Sequence, residues 1–254
     1  MTARSQLILM YHAVGPVRHD PNRLCVTPAR FAGQMDWLRR RGLRGVDVGT
    51  LMAARRADRD DRGGRARRMV GLTFDDGYAS VLDYAVPVLR EHGFTATAFV
   101  LTGRFGGAND WDEGTPWPLL SRSGVAELAA AGMEIGSHGA THAALAGASP
   151  ETLAAEVADS RAVLRELTGQ PVRGFAYPYG AMDQRAMDAV AGAGYGYACA
   201  VRPAGRRPGP YALPRIYAGQ ADGPARLTAK RLLYRAYFAR DYHRNLLSAK
   251  GSLP

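Results

Sequence analysis

Strand-length apolar runs alternate with helix-length segments from residue 7 to residue 217 of this 254-residue chain. Parallel strands need long crossovers, usually helical, so the alternation implies a mainly parallel sheet covered by helices. "LILMY" (7–11) precedes "TPARFAGQMDWLRRRG" (27–42). There Thr27 is a helix cap, Pro28 takes the first helical position, Phe31, Met35 and Leu38 share one face, and Gly42 ends the run. "GVDV" (45–48) reads as a second strand, and 53–68 as a solvated loop or frayed helix, not a linker. "MVGLTF" (69–74), "TATAFVL" (95–101), "MEIGS" (133–137), "GFAYP" (174–178), "YGYACAV" (195–201) and "YALPRIY" (211–217) read as further strands. Helices are expected at 78–93, 123–132, 150–169 behind Ser149, and 183–194. Strands alternating with helices in this way fit a barrel or an open doubly wound sheet, and both place their sites at the C-terminal ends of strands.

One domain over 1–254 is expected, with a basic, helix-like tail from about Arg226. Hydrophobic residues make up 46%, enough for a sizeable core. Two distant cysteines, Cys25 and Cys199, give neither a disulfide framework nor a thiolate zinc site, which points to a reducing compartment. The first residues fall short of the ~7–15 apolar residues of a secretory core. No run approaches the ~18–20 of a membrane span. A cytoplasmic location is therefore expected. The formal charge of +10 comes mostly from arginine. No basic motif with interleaved aromatics accompanies it, so no nucleic-acid partner is expected. The tail mixes basic groups with Leu, Tyr and Phe, and either packs on the domain or touches an anionic membrane surface.

Chemistry-bearing residues cluster at the predicted strand ends. "TFDDG" (73–77) puts Asp75 and Asp76 on a glycine turn, where consecutive side chains point different ways. "SHGATH" (137–142) supplies His138 and His142, spaced so that both imidazoles can reach one ion. Two histidines and a carboxylate make an open set for zinc or another divalent metal, and the second carboxylate is left to act as a base. "FAYPYG" (175–180) ends another strand in a turn that can present a backbone N–H.

"LTFDDGY", "EIGSHGATH" and "FAYPYG", in this order, resemble the polysaccharide deacetylase family, carbohydrate esterase family 4. "LILMYHAVG" and "TPARFAGQMDWLRRRGL" resemble the branch that includes deacetylases of surface poly-N-acetylglucosamine, and the likeness runs from about residue 7 to 217. The resemblance implies a distorted (β/α) barrel with fewer than eight regular strands, and metal-dependent hydrolysis of an N-acetyl group from a sugar. It implies that Asp75 is the base, that Asp76, His138 and His142 hold the metal, most simply Zn2+, and that the Tyr179 amide helps hold the oxyanion. Gly139 takes a place usually held by Ser or Thr, a change expected to matter little. Ala176 stands where many members carry an arginine that orients the base, and Arg215 where they carry the histidine acid. Arg215 is therefore expected to reach Asp75. In the branch resembled, the late strand's role looks transferred to the N-terminal strand, as in a circular permutation, which makes His12 the expected general acid. The other readings are packing or a third imidazole on the metal. The substrate expected is an N-acetylated amino sugar in a polymer, oligomer or glycoside intermediate. The alternatives are a non-sugar linear or cyclic amide on the same fold, and a non-catalytic glycan-binding protein.

Overall fold

A computed structural model describes residues 7–16, 19–61, 64–111, 113–114, 116–201 and 209–234. Nine short strands form one sheet: β1 (Ile8–Tyr11), β2 (Arg44–Val46), β3 (Met69–Phe74), β4 (Thr97–Val100), β5 (Glu134–Ser137), β6 (Gly174–Ala176), β7 (Tyr197–Ala200), β8 (Leu213–Pro214) and β9 (Ile216–Tyr217). Every pairing is parallel, in the order β8-β7-β6-β5-β4-β3-β1-β9. Only Arg215 separates β8 from β9, yet β8 pairs with β7 and β9 with β1, so this one segment closes the sheet into a barrel. β2 pairs with the first half of β3, from Arg44↔Met69 to Val46↔Gly71, and β4 with the second half, Thr73↔Thr97 and Phe74↔Ala98. The barrel is distorted as expected. β2 supplies an eighth position at the N-terminal end alone, which leaves fewer than eight strands around the circuit.

Period-two alternation sorts the strand residues. Leu9, Tyr11, Val70, Leu72, Phe74, Ala98 and Val100 face the surrounding helices and join the larger core. Ile8, Phe99, Ala176, Tyr197, Cys199 and Leu213 point inward and fill the barrel with Val46, Val48 and Leu51. Gly136 makes room for Phe99, whose ring a Cβ at 136 would overlap. The inward register continues through Thr73 to Asp75 and through Leu213 to Arg215. The sequence pattern thereby aims both charged groups at the barrel axis.

α1 (Pro28–Arg40) starts as expected, with Thr27 Oγ1 accepting the Arg30 N–H at 3.3 Å. The strand expected to reach Val48 stops at Val46, because Asp47 caps the next helix, its Oδ1 accepting the Thr50 N–H at 2.7 Å. Of the solvated loop or frayed helix expected at 53–68, the first part is helix, in α2 (Val48–Asp61). Val48 and Leu51 anchor it on the barrel, and the alanines that follow favour helix. Both cysteines are buried and free. Residues 224–234 are helical, and the tail beyond lies outside the described residues. Among the described residues no helix is long and apolar enough to cross a membrane.

Candidate active site

β3 delivers Asp75 to the C-terminal mouth of the barrel, where its N–H donates to Tyr11 O at 3.0 Å. Its carboxylate is paired with Arg215 in a fork: Nη1 donates to Oδ1 at 2.6 Å and Nη2 to Oδ2 at 2.7 Å. Nη1 also donates to Thr73 Oγ1 at 3.1 Å, and the Thr73 hydroxyl donates to Leu9 O at 3.1 Å. Both charged groups are buried. Burial alone pushes the Asp75 carboxyl up. The Arg215 and His138 charges more than reverse it, so the net shift is downward and the group is an anion. Each carboxylate oxygen keeps a second lone pair for a further donor. Arg215 thus holds Asp75 from the late strand, while Ala176 leaves the earlier position without a charge.

Asp76 turns away from Asp75 because its backbone is left-handed, with φ 69°. Such a conformation costs an L residue ~1–3 kcal/mol and persists only where its surroundings enforce it. His142 and Tyr179 share this feature, with φ 70° and 58°. Three of the four described non-glycine residues with positive φ therefore stand at this one mouth. His138 follows β5 directly, its N–H donating to Val100 O at 2.9 Å. Asp76 Oδ1 lies 3.2 Å from His138 Nε2 and 3.4 Å from His142 Nε2. One donor atom from each of the three lies within 4.8 Å of the others, and all three residues are buried.

This set fits a divalent cation. Ala176 O can only accept, so the His138 Nδ1 facing it at 2.8 Å carries the proton. Nε2 is then the nitrogen that faces Asp76 Oδ1, itself buried without a hydrogen-bond partner. A proton or a metal cation between them satisfies both atoms, and the donor set of two imidazoles and a carboxylate is one that a divalent metal takes. Burial pushes Asp76 up, and the two imidazoles pull it well below the usual carboxylate range. Burial pulls His138 down, but Asp76 and Asp75 outweigh it and the net shift is upward.

A cavity of about 150 Å³ opens beside the triad, and its lining includes His12, Asp75, Trp111, Tyr177 and Tyr179. His12 leaves β1 with Nδ1 buried and unpaired, its ring 6.3 Å from that of Tyr217. Tyr179 occupies the turn Pro178–Gly180, with its side chain 60% exposed at the rim. The structure therefore brings all seven expected residues, Asp75, Asp76, His138, His142, His12, Tyr179 and Arg215, to one end of the barrel. Two residues were not singled out from sequence. Trp111 stacks on His142 with centroids 4.6 Å apart, and Tyr179 meets the same ring edge-on at 4.4 Å. The sequence "FGGANDWDEGTPWP" (105–118), a long run rich in Gly, Pro and Trp, is the signal that points to Trp111. Glu156 sits beneath the metal-site loop, and no spacing in its helix marks it.

A barrel with its charged groups at the strand C-termini, and an Asp-His-His set able to hold a metal beside an arginine-held carboxylate, defines a hydrolase-like site. The model of the polysaccharide deacetylase family matches residues 62–198, more than half the chain, and the chain belongs to that family. It is 28% identical over 211 residues to YxkH of Bacillus subtilis (strain 168), whose name assigns it to the same family; the match covers 82% of this chain and 70% of that one. It is 24% identical over 204 residues to the poly-beta-1,6-N-acetyl-D-glucosamine N-deacetylase of Staphylococcus aureus (strain N315), covering 75% and 67%. Among solved structures, the Streptococcus pyogenes deacetylase PplD in complex with acetate shares the fold, with a TM-score of 0.74 at 24% identity over 89% of this chain and 97% of that one. IcaB from Ammonifex degensii gives 0.69 at 25% identity, over 89% and 96%.

Proposed function

We propose that this chain is a divalent-metal-dependent N-deacetylase of N-acetylated amino sugars. The observation that carries the reading is one cavity holding both an Asp-His-His set and a separate buried carboxylate, in a member of the polysaccharide deacetylase family. Asp76, His138 and His142 hold the ion, and a mixed set of two imidazoles and one carboxylate favours zinc. The ion supplies Lewis acidity toward the acetyl carbonyl and lowers the pKa of nearby water. Asp75, aimed by Arg215, takes the proton of the attacking water. The Tyr179 N–H donates to the oxygen on which charge develops. His12 gives a proton to the sugar nitrogen as the carbon–nitrogen bond breaks, and acetate and a free amine leave. Acetate release from N-acetylglucosamine oligomers, run beside non-sugar amides and cyclic amides, tests the substrate class. Turnover of the oligomers alone is expected, and turnover of the non-sugar compounds alone would move the activity to another amide class.

Two outcomes follow for single residues. His138→Ala removes one of three ligands and is expected to leave less than stoichiometric metal by elemental analysis. Full retention in both His138→Ala and His142→Ala would sink the ligand assignment. His12→Gln is expected to keep its metal, slow hydrolysis by ~10²-fold or more, and lose the alkaline limb of the pH–rate profile, because imidazole is the side chain suited to donate a proton near neutrality. Metal loss in that variant would make His12 a ligand, and unchanged activity would make it packing.

A further inference from the structure

The loop that carries both imidazoles rests on a carboxylate that the chemistry above does not use. Glu156 lies in the π-helical turn Ala154–Asp159, inside the helix that begins at Pro150, and is buried. Its Oε2 accepts the N–H of Ala140 at 2.7 Å and of Thr141 at 3.1 Å, and its Oε1 accepts the Thr141 N–H at 3.2 Å and the Thr141 hydroxyl. The same turn braces the start of the loop. The Ser160 hydroxyl donates to Glu156 O at 2.7 Å, so the Ser137 hydroxyl donates to Ser160 Oγ across 2.8 Å. Ser137 Oγ is then left to accept the Gly139 N–H at 3.0 Å. π turns are rare insertions that recur at functional sites.

Gly139 is fitted to this carboxylate. Its φ is +91°, and a Cβ built there would overlap Glu156 Oε2. An oxygen held by several donors cannot swing aside without breaking them. The expectation that glycine at 139 matters little is therefore corrected: it keeps the left-handed turn and leaves room for the carboxylate. Three residues further on, His142 holds its own strained backbone directly after the two amides that Glu156 ties down.

We propose that Glu156 is the positioning residue of the metal site. By binding Ala140 and Thr141 it sets the separation and aim of the His138 and His142 imidazoles, and Gly139 is present to admit it. This rests on reading Asp76, His138 and His142 as metal ligands. The test uses the full chain, stripped and titrated with Co2+, whose visible absorption reports coordination geometry. Glu156→Gln keeps the volume but turns an amide NH2 toward backbone donors. It is expected to raise the Co2+ dissociation constant ~10–100-fold and change the absorption, with the far-ultraviolet circular dichroism unchanged. Thr141→Val removes one donor at an exposed position and is expected to shift both readouts the same way by less. It carries the test if Glu156→Gln does not fold. Wild-type affinity and spectrum in every variant that folds would overturn the proposal. A wild-type chain that takes up no Co2+ would instead overturn the ligand assignment, and this inference with it.

Discussion

Asp75→Asn is expected to retain stoichiometric metal and lose ~10²–10⁴-fold in kcat, the usual cost of removing a general base. The asparagine keeps the shape of the carboxylate and still accepts one guanidinium N–H, but it leaves the buried Arg215 charge without its counter-ion, so the variant is expected to fold with a lowered Tm. What it cannot do is take a proton from water. Asp75 makes no approach to the Asp-His-His set as a ligand; its two oxygens face Arg215. Metal content and single-turnover acetate release, measured on the same sample, separate the two roles. A variant within a few-fold of wild type would remove Asp75 from the chemistry, and a metal-free variant would make it a ligand.

Arg215→Met has the second large expected effect, on stability as well as rate. The guanidinium and carboxylate are both buried, and removing one partner of such a pair costs ~3–5 kcal/mol because the other charge stays behind. For a domain of this size that lowers Tm by roughly 6–20 °C. Activity should fall too, since the base loses the fork that aims it. The pH dependence has a defined sign. The folded Asp75 carboxyl is held below its ordinary value, so its stabilising contribution is present above the unfolded pKa of about 4 and is lost as pH falls through the folded one. The gap between wild type and Arg215→Met should be widest near neutral pH and narrow below about pH 4. Arg215→Met combined with Asp75→Leu should recover part of the lost stability while remaining inactive. A single Arg215→Met that melts with wild type at pH 7 would mean that the pair contributes nothing.

The strand runs were legible because buried parallel strands are written as short apolar stretches, and "MVGLTF" coincides with β3 residue for residue. The helix caps at Thr27, Ser149 and Asp183 follow from local chemistry and are visible in sequence for that reason. For residues 53–61 the sequence leaves solvated loop and frayed helix both open, because charge hides the few apolar contacts that hold α2. The strand at 211–217 is two strands because it turns a corner of the barrel at Arg215, a tertiary fact with no periodic signal. The site motifs were readable as sets of residue types at strand ends. Glu156 was not, because it acts through backbone amides 15 and 16 residues away and across a π turn. The weight of Gly139 was missed with it, since that weight depends on a φ value and on a neighbour the sequence does not place.

Acetate release from N-acetylglucosamine oligomers by chelator-stripped protein, before and after one equivalent of Zn2+, is the most direct measurement. Activity at background when stripped, restored by the single equivalent, is the predicted result. Equal acetate release from the stripped and reloaded protein, with the stripped sample verified free of metal, would contradict metal-dependent deacetylation at Asp76, His138 and His142.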